Sequence, residues 1–340
     1  MNTQTIKLCS STPGIKILGE RYLESEEQLN IDWTASGIEF VAECGGDVIF
    51  SAASFPAEKT CRFRAFVDGE PWKGEDGSVY YTVRGESEVV LAGIPSGEHL
   101  IRLVKVNGYT LGNITLYSMT LNGRIVEEKK PADKRLYVEF IGDSITCGWG
   151  TVEKPDKTYD GTSESQDATL AFAYRTAAAL DADYAMTALS GQGIIYGRPI
   201  PQSSRYASYA RSTDKEYGFP RRADLVVMTV GTNDKAHANS DNITPEAFRA
   251  VFVEFAQYIR KMNGDCRILA AYNLMGNFIS EVEAAIEELG GAEKGFYTIC
   301  VKKHPGPATN ANGGKGHPDK YAHAFYAEQV TEKIREILGI

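Results

Sequence analysis

The chain of 340 residues lacks most of the features that mark specialised protein classes. No stretch approaches the roughly 20 apolar residues that a membrane-spanning helix needs, which argues against a membrane partner. Positive charge does not accumulate. Lys and Arg number 36 against 45 Asp and Glu, a formal net charge of −9, so the concentrated basic face that nucleic acid demands is missing. Cysteine is sparse and scattered: Cys9, Cys44, Cys61, Cys147, Cys266 and Cys300 include no CxxC pair, and they read as free thiols rather than a disulfide frame. Between Met1 and Gly14 no apolar run follows a basic start, from which a cytoplasmic location is expected. There is no internal repeat and no low-complexity tract. What remains is ordinary: 43% hydrophobic and 24% charged residues are the proportions of a soluble globular protein. The acidic balance favours a neutral or small-molecule substrate. Nothing in the composition sets an oligomeric state.

A single core stops growing near ~250–300 residues, so two domains are expected. The chain changes character accordingly. Residues 1–130 carry short β-forming runs separated by turn signals: Cys61 to Val67 before Asp68-Gly69, Tyr80 to Val83, Glu88 to Ala92, His99 to Val106, and Ile114 to Leu121 before Asn122-Gly123. This is the pattern of an all-β sandwich, jelly-roll-like. Residues 131–135 lie in a charged, proline-bearing stretch without an apolar face, a linker. Residues 136–340 alternate strand and helix signals. The strands are Leu136 to Ile141, Tyr184 to Leu189, Asp224 to Val230, Ile268 to Tyr272 and Tyr297 to Val301. The helices are Ala168 to Leu180, Pro245 to Met262 behind the N-cap candidate Thr244, Ile279 to Leu289, and Asp319 to Leu338. Such alternation predicts an α/β three-layer domain with a parallel sheet, whose ligands bind beyond the carboxyl ends of the strands.

Residues able to do chemistry sit where that rule places them. Gly142-Asp143-Ser144 directly follows the first strand, and a serine on a tight turn there can expose its hydroxyl. A hydroxyl is a weak nucleophile near neutrality and needs a base. Ser190-Gly191-Gln192-Gly193 follows the second strand, and a backbone N–H next to glycine can approach a ligand closely. Gly231-Thr232-Asn233-Asp234 follows the third, and an asparagine amide can donate to a developing oxyanion. Each block also reads as a simple turn when taken alone. The five histidines are His99, His237, His304, His317 and His323. His317, fixed at the start of the last helix, is the favoured base, with His304 its rival because it too precedes a proline. His317, Asp319 and His323 form a conceivable metal set, but the histidine spacing of six suits one helix face poorly, and no metal is expected. Trp149, Tyr196 and Tyr206 lie near the first two blocks and are either a sugar-stacking platform or ordinary core aromatics.

Four such blocks in this order resemble the SGNH (GDSL-type) hydrolase superfamily, over Leu136 to Ile340. The finer resemblance is to carbohydrate esterase family 2, in which a β-sandwich precedes the hydrolase domain. It rests on Phe140-Ile141-Gly142-Asp143-Ser144-Ile145-Thr146-Cys147-Gly148, Ser190-Gly191-Gln192-Gly193-Ile194, His317-Pro318 with His323, and Gly97-Glu98-His99-Leu100-Ile101-Arg102-Leu103. The resemblance implies a serine nucleophile at Ser144, a base at His317, and an oxyanion hole from Ser144, Gly191 and Asn233. It implies no cofactor, and it implies removal of O-acetyl groups from xylan- or mannan-type oligo- or polysaccharides, often at a sugar 6-position. One departure stands out: the aspartate usually found three residues before the histidine is Gly314 here. The resemblance includes members that work as Ser–His dyads with a backbone carbonyl holding the imidazole, and a dyad is expected here, with a carboxylate from elsewhere in the chain as the alternative. A non-catalytic glycan-binding protein and an esterase for another short acyl ester remain the rival readings.

Overall fold

The computed structural model describes residues 2–152, 163–197, 200–306 and 309–340. The chain divides into two compact units, Met1–Asp133 and Lys134–Ile340.

The first unit is antiparallel β. Its strands are β1 (Thr3–Lys7), β2 (Ile15–Leu18), β3 (Leu29–Ile31), β4 (Gly37–Phe55), β5 (Cys61–Val67), β6 (Glu70–Trp72), β7 (Tyr81–Val83), β8 (Glu86–Lys105) and β9 (Asn113–Ile125). The main path runs β1-β9-β4-β8-β5-β6. Alternate side chains, among them Ile38, Phe40, Phe50, Phe63, Leu91, Ile101, Leu103, Leu116 and Leu121, fill one buried core in the manner of a sandwich. One sequence expectation is corrected here. Glu88 to Ala92 and His99 to Val106 are not separate strands, because β8 runs through both. Strand β4 likewise continues for 19 residues, through Gly45-Gly46. The register of β4 slips between Cys44 and Val48, and these bulges bend the pair without ending it.

The second unit contains β10 (Leu136–Gly142), α1 (Phe172–Ala179), β11 (Ala182–Ala188), α2 (Gln202–Arg205), β12 (Leu225–Thr229), α3 (Thr232–Ala236), α4 (Pro245–Met262), β13 (Arg267–Tyr272), α5 (Ile279–Glu288), β14 (Phe296–Cys300) and α6 (Lys320–Leu338). The five strands are parallel in the order β11-β10-β12-β13-β14. Side chains alternate across β10. Tyr137 and Ile141 join the core formed with Phe248, Phe252 and Phe255 of α4, whereas Phe140 meets Phe172 of α1 edge-on. Helix α4 starts as read from the sequence, with the Thr244 hydroxyl accepting from Ala247 N–H at 3.1 Å.

The alanine-rich segment differs from its expected single helix. A short 3₁₀ turn, Ala168–Leu170, comes first, and Ala171 is extended before α1 begins. The break has a local cause. The Asp167 carboxylate closes the tight turn by accepting from Thr169 N–H, and Phe172 N–H turns aside to donate to Nδ1 of His323 at 3.1 Å.

This topology fixes the place of a site. The chain passes from β10 to β11 on one side and then returns to β12 on the other. The carboxyl end of β10 is therefore a switch point, where the loops diverge and leave a crevice.

Candidate active site

Three of the four blocks leave the carboxyl ends of the adjacent strands β11, β10 and β12, and the fourth precedes α6. Ser144 sits two residues beyond β10. Its turn is closed by Cys147 N–H to Asp143 O (3.0 Å) and Trp149 N–H to Ser144 O (3.0 Å). Beneath it, the Thr146 and Thr229 hydroxyls bond each other at 2.8 Å and tie the turn to β12.

Oγ of Ser144 lies 2.8 Å from Nε2 of His317. The other ring nitrogen, Nδ1, lies 3.1 Å from the carbonyl oxygen of Gly314. A carbonyl only accepts, so Nδ1 carries the proton and Nε2 is free to take one from the serine. Burial is the main force lowering the His317 pKa below its ordinary value. Lys315 lowers it further, while the Gly314 carbonyl acts in the opposite direction. The imidazole is thus held neutral, the form a base requires. Ser144 itself is only 8% exposed.

The backbone N–H groups of Ser144 and Gly191 donate to no acceptor among the described residues. The Asn233 amide is differently placed. Its Nδ2 donates to Asp143 Oδ2 at 3.2 Å and to Gln192 O at 2.9 Å, so it fastens the serine turn to the glycine loop in the free site. It reaches an oxyanion only by giving up one of these bonds.

Two carboxylates behind this wall were not singled out by sequence for their true work. Asp143 is fully buried and also accepts from Ile145 N–H at 3.0 Å. Loss of water pushes its carboxyl up to about 7, with Asp234 adding in the same direction. Asp234 accepts the N–H groups of Ile194 (3.0 Å), Ile195 (2.8 Å) and Tyr196 (2.8 Å), which shapes the loop after Gly191. Burial raises its pKa against those three donors. The close approach explains Gly193: a Cβ there would lie 2.2 Å from Asp234 Oδ2. The signal was present in Gly191-Gln192-Gly193 followed by Asn233-Asp234, but only the fold pairs them.

The loop carrying His317 is pinned differently. Gly313 N–H donates to His317 O at 2.8 Å. Gly313 also packs on Gly150, backbone to backbone. A Cβ on Gly150 would lie 2.6 Å from the Gly313 Cα, and one on Gly313 would lie 2.5 Å from the Gly150 Cα.

The remaining candidates separate. Tyr206 is no platform. It is fully buried, its hydroxyl donates to Glu139 Oε2 at 2.6 Å, and Asn263 Nδ2 donates to it at 2.7 Å. Trp149 is also buried, at 6% exposure, with its ring 6.2 Å from that of His317, so it backs the imidazole rather than offering an open face. Tyr196 is half-buried and stacks on His237, ring centroids 3.7 Å apart and 6° from parallel. His304 accepts from Gly306 N–H at Nδ1 (3.0 Å) inside its own loop, and Ser144 pairs with His317 instead. The conceivable metal set does not converge: Asp319 Oδ1 caps α6 through Tyr321 and Ala322 N–H, and His323 Nδ1 is taken by Phe172. His99 belongs to the first unit, where it bonds Asp68 at 2.7 Å.

Residues 140–337 match the GDSL-like Lipase/Acylhydrolase family, and the chain belongs to it. The chain is 25% identical over 82% of its length to the cellulase/esterase CelE of Acetivibrio thermocellus, covering 34% of that protein. It is 29% identical over 61% of its length to an acetylxylan esterase / glucomannan deacetylase of Cellvibrio japonicus, covering 59% of it. The chain thus spans between about a third and three fifths of these two relatives. Among solved structures, a family two carbohydrate esterase from Clostridium thermocellum in complex with cellohexaose superposes with a TM-score of 0.83 at 24% identity, covering 96% of this chain and 99% of that one. An acetyl xylan esterase from the rumen bacterium Butyrivibrio proteoclasticus gives 0.83 at 19%, with 99% of each chain covered. Both carry the same fold.

Proposed function

We propose that the protein is a carbohydrate acetyl esterase working through a Ser144–His317 dyad. The observation that carries this reading is the 2.8 Å approach of Ser144 Oγ to Nε2 of an imidazole whose Nδ1 lies 3.1 Å from the Gly314 carbonyl oxygen. His317 accepts the serine proton as Oγ attacks the acetyl carbonyl. The oxyanion is received by the N–H groups of Ser144 and Gly191, joined by the Asn233 amide as it leaves Gln192 or Asp143. The tetrahedral intermediate collapses, the sugar hydroxyl departs with the proton from His317, and acetate is released by water along the same path. These steps call on no cofactor.

Acetylated xylan- or mannan-type oligosaccharides are the proposed substrates. Support comes from family membership and from the names of the relatives, acetylxylan esterase and glucomannan deacetylase. Tyr196 is the aromatic retained here for contact with a sugar ring. The test is mass spectrometry of acetylated xylo- and manno-oligosaccharides incubated with the wild type and with Ser144→Ala. Loss of acetyl masses with the first protein only is expected. Wild-type protein that releases acetate neither from these nor from an activated acetyl ester would leave a glycan-binding protein as the better description.

A further inference from the structure

Helix α3 carries Asn233 in its first turn and ends at His237, its C-cap. Asn233 and His237 are four apart, so they lie one above the other. The spacing is locked: His237 Nδ1 sits 3.0 Å from Asn233 O, and His237 N–H donates to the same oxygen at 3.0 Å. Because the carbonyl can only accept, Nδ1 donates to it, which leaves Nε2 as the ring nitrogen free to face a ligand. Among the described residues nothing bonds that Nε2. The ring is half-buried, flat against Tyr196 at 3.7 Å, and Tyr196 is itself anchored through its N–H to Asp234. The tyrosine hydroxyl likewise has no partner among the described residues.

We propose that His237 is a specificity-determining residue: its Nε2 accepts a hydrogen bond from a hydroxyl of the sugar whose acetyl group occupies the Ser144 site. This rests on the esterase reading above. Several features favour a sugar hydroxyl over another ligand. The group offered is a single ring nitrogen, its partner nitrogen being already committed to a backbone carbonyl. It stands on the edge of a two-ring aromatic wall, and it is rigid before the ligand arrives, held by one hydrogen bond and one stacked neighbour. Sugars present C–H faces to aromatic rings and hydroxyls at their rims, which matches a ring wall with a polar edge. An aryl or alkyl acetate has no hydroxyl to give and gains nothing from Nε2.

The test compares two esters in one protein preparation. The variants are His237→Phe, which keeps a ring against Tyr196 and removes the acceptor, and His237→Gln, which returns an acceptor oxygen without the ring. The probes are acetylated xylo-oligosaccharide and 4-nitrophenyl acetate, each read as kcat/KM. The ratio of the two values is independent of the fraction of folded enzyme, so a partly unfolded variant still reports. For His237→Phe the ratio of sugar to aryl ester should fall about three- to tenfold, the range for one neutral hydrogen bond, and His237→Gln should recover part of the loss. An unchanged ratio in His237→Phe, or equal losses on both esters, would overturn the proposal and leave the residue as a support for Asn233. A wild-type enzyme that cleaves the aryl ester but no acetylated sugar would instead overturn the substrate reading itself.

Discussion

The two walls of the site are built on different principles. The nucleophile wall rises from the ends of three neighbouring parallel strands. It is cross-tied by Thr146 to Thr229, Asn233 to Asp143 and Gln192, and Asp234 to three successive N–H groups. The imidazole wall is a glycine-bearing loop before α6, tied by backbone bonds and by one glycine-on-glycine contact. The group facing His317 Nδ1 there is the Gly314 carbonyl. Precision on one side comes from buried side chains, and on the other from backbone geometry. A carbonyl selects the tautomer of the imidazole as well as an aspartate does, yet stabilises the imidazolium less. More of the catalytic power must then reside in the nucleophile wall.

Breaking that wall should accordingly cost the most. Ser144→Ala removes the proposed attacking atom, and kcat for acetate release should fall about 10⁴–10⁶-fold with the thermal midpoint nearly unchanged, since among the described residues the hydroxyl bonds only His317. A residual activity within tenfold of wild type would mean that another group attacks. Asn233→Ala comes next. It removes an oxyanion donor and unties Asp143 from Gln192, so a fall of about 10²–10³ in kcat is expected. If KM alone rises, the amide is a strut and not a donor.

The imidazole wall is probed through its glycines. In Gly150→Ala, Cβ would lie 2.6 Å from the Gly313 Cα, in a residue with φ of +83°. The backbone must shift, and a displacement of His317 of the order of 1 Å can cost about 10²-fold in rate. Overpacking of this kind also lowers stability by about 1–3 kcal/mol. A variant with normal kcat and a normal urea midpoint would show that the loop is positioned by something other than this contact.

What the sequence disclosed follows the same division. The nucleophile wall was legible because strand-ending motifs announce themselves: an apolar run, then a tight turn with the reactive residue. Ser144, Gly191 and Asn233 each directly follow a strand, and Pro245–Met262 has caps and period in agreement. The pairing of Asp234 with Gly193, some 40 residues apart, was not legible, since nothing local to either residue refers to the other. Of the two readings left open for Tyr206, the fold selects the core aromatic, because its hydroxyl donates to the buried Glu139, a partner 67 residues away that nothing local to Tyr206 indicates. Strand β8 was read as two strands because Gly93 and Gly97 lie between the two apolar runs, and only the cross-strand register shows that the pairing with β4 continues through an irregularity.

The smallest expected effect is also the most specific to the imidazole wall. His317 works in its neutral form, and its pKa lies below the ordinary histidine value because of burial and the charge of Lys315. A lowered pKa keeps the base neutral to lower pH, so the acid limb of kcat/KM should fall below that of a solvent-exposed histidine. Lys315→Glu exchanges a repulsive charge for an attractive one, favours the imidazolium, and should move that limb upward. Lys315 is exposed, so water and salt weaken the interaction, and the rate at neutral pH should change by less than about threefold. The displacement should shrink as salt rises from 10 mM to 1 M, because the Debye length contracts from about 30 Å to 3 Å. A limb that stays fixed at low salt would place the whole shift in burial. A limb that moves downward would contradict the assignment of His317 as the titrating base, since a new negative charge beside a base can only make its protonation easier.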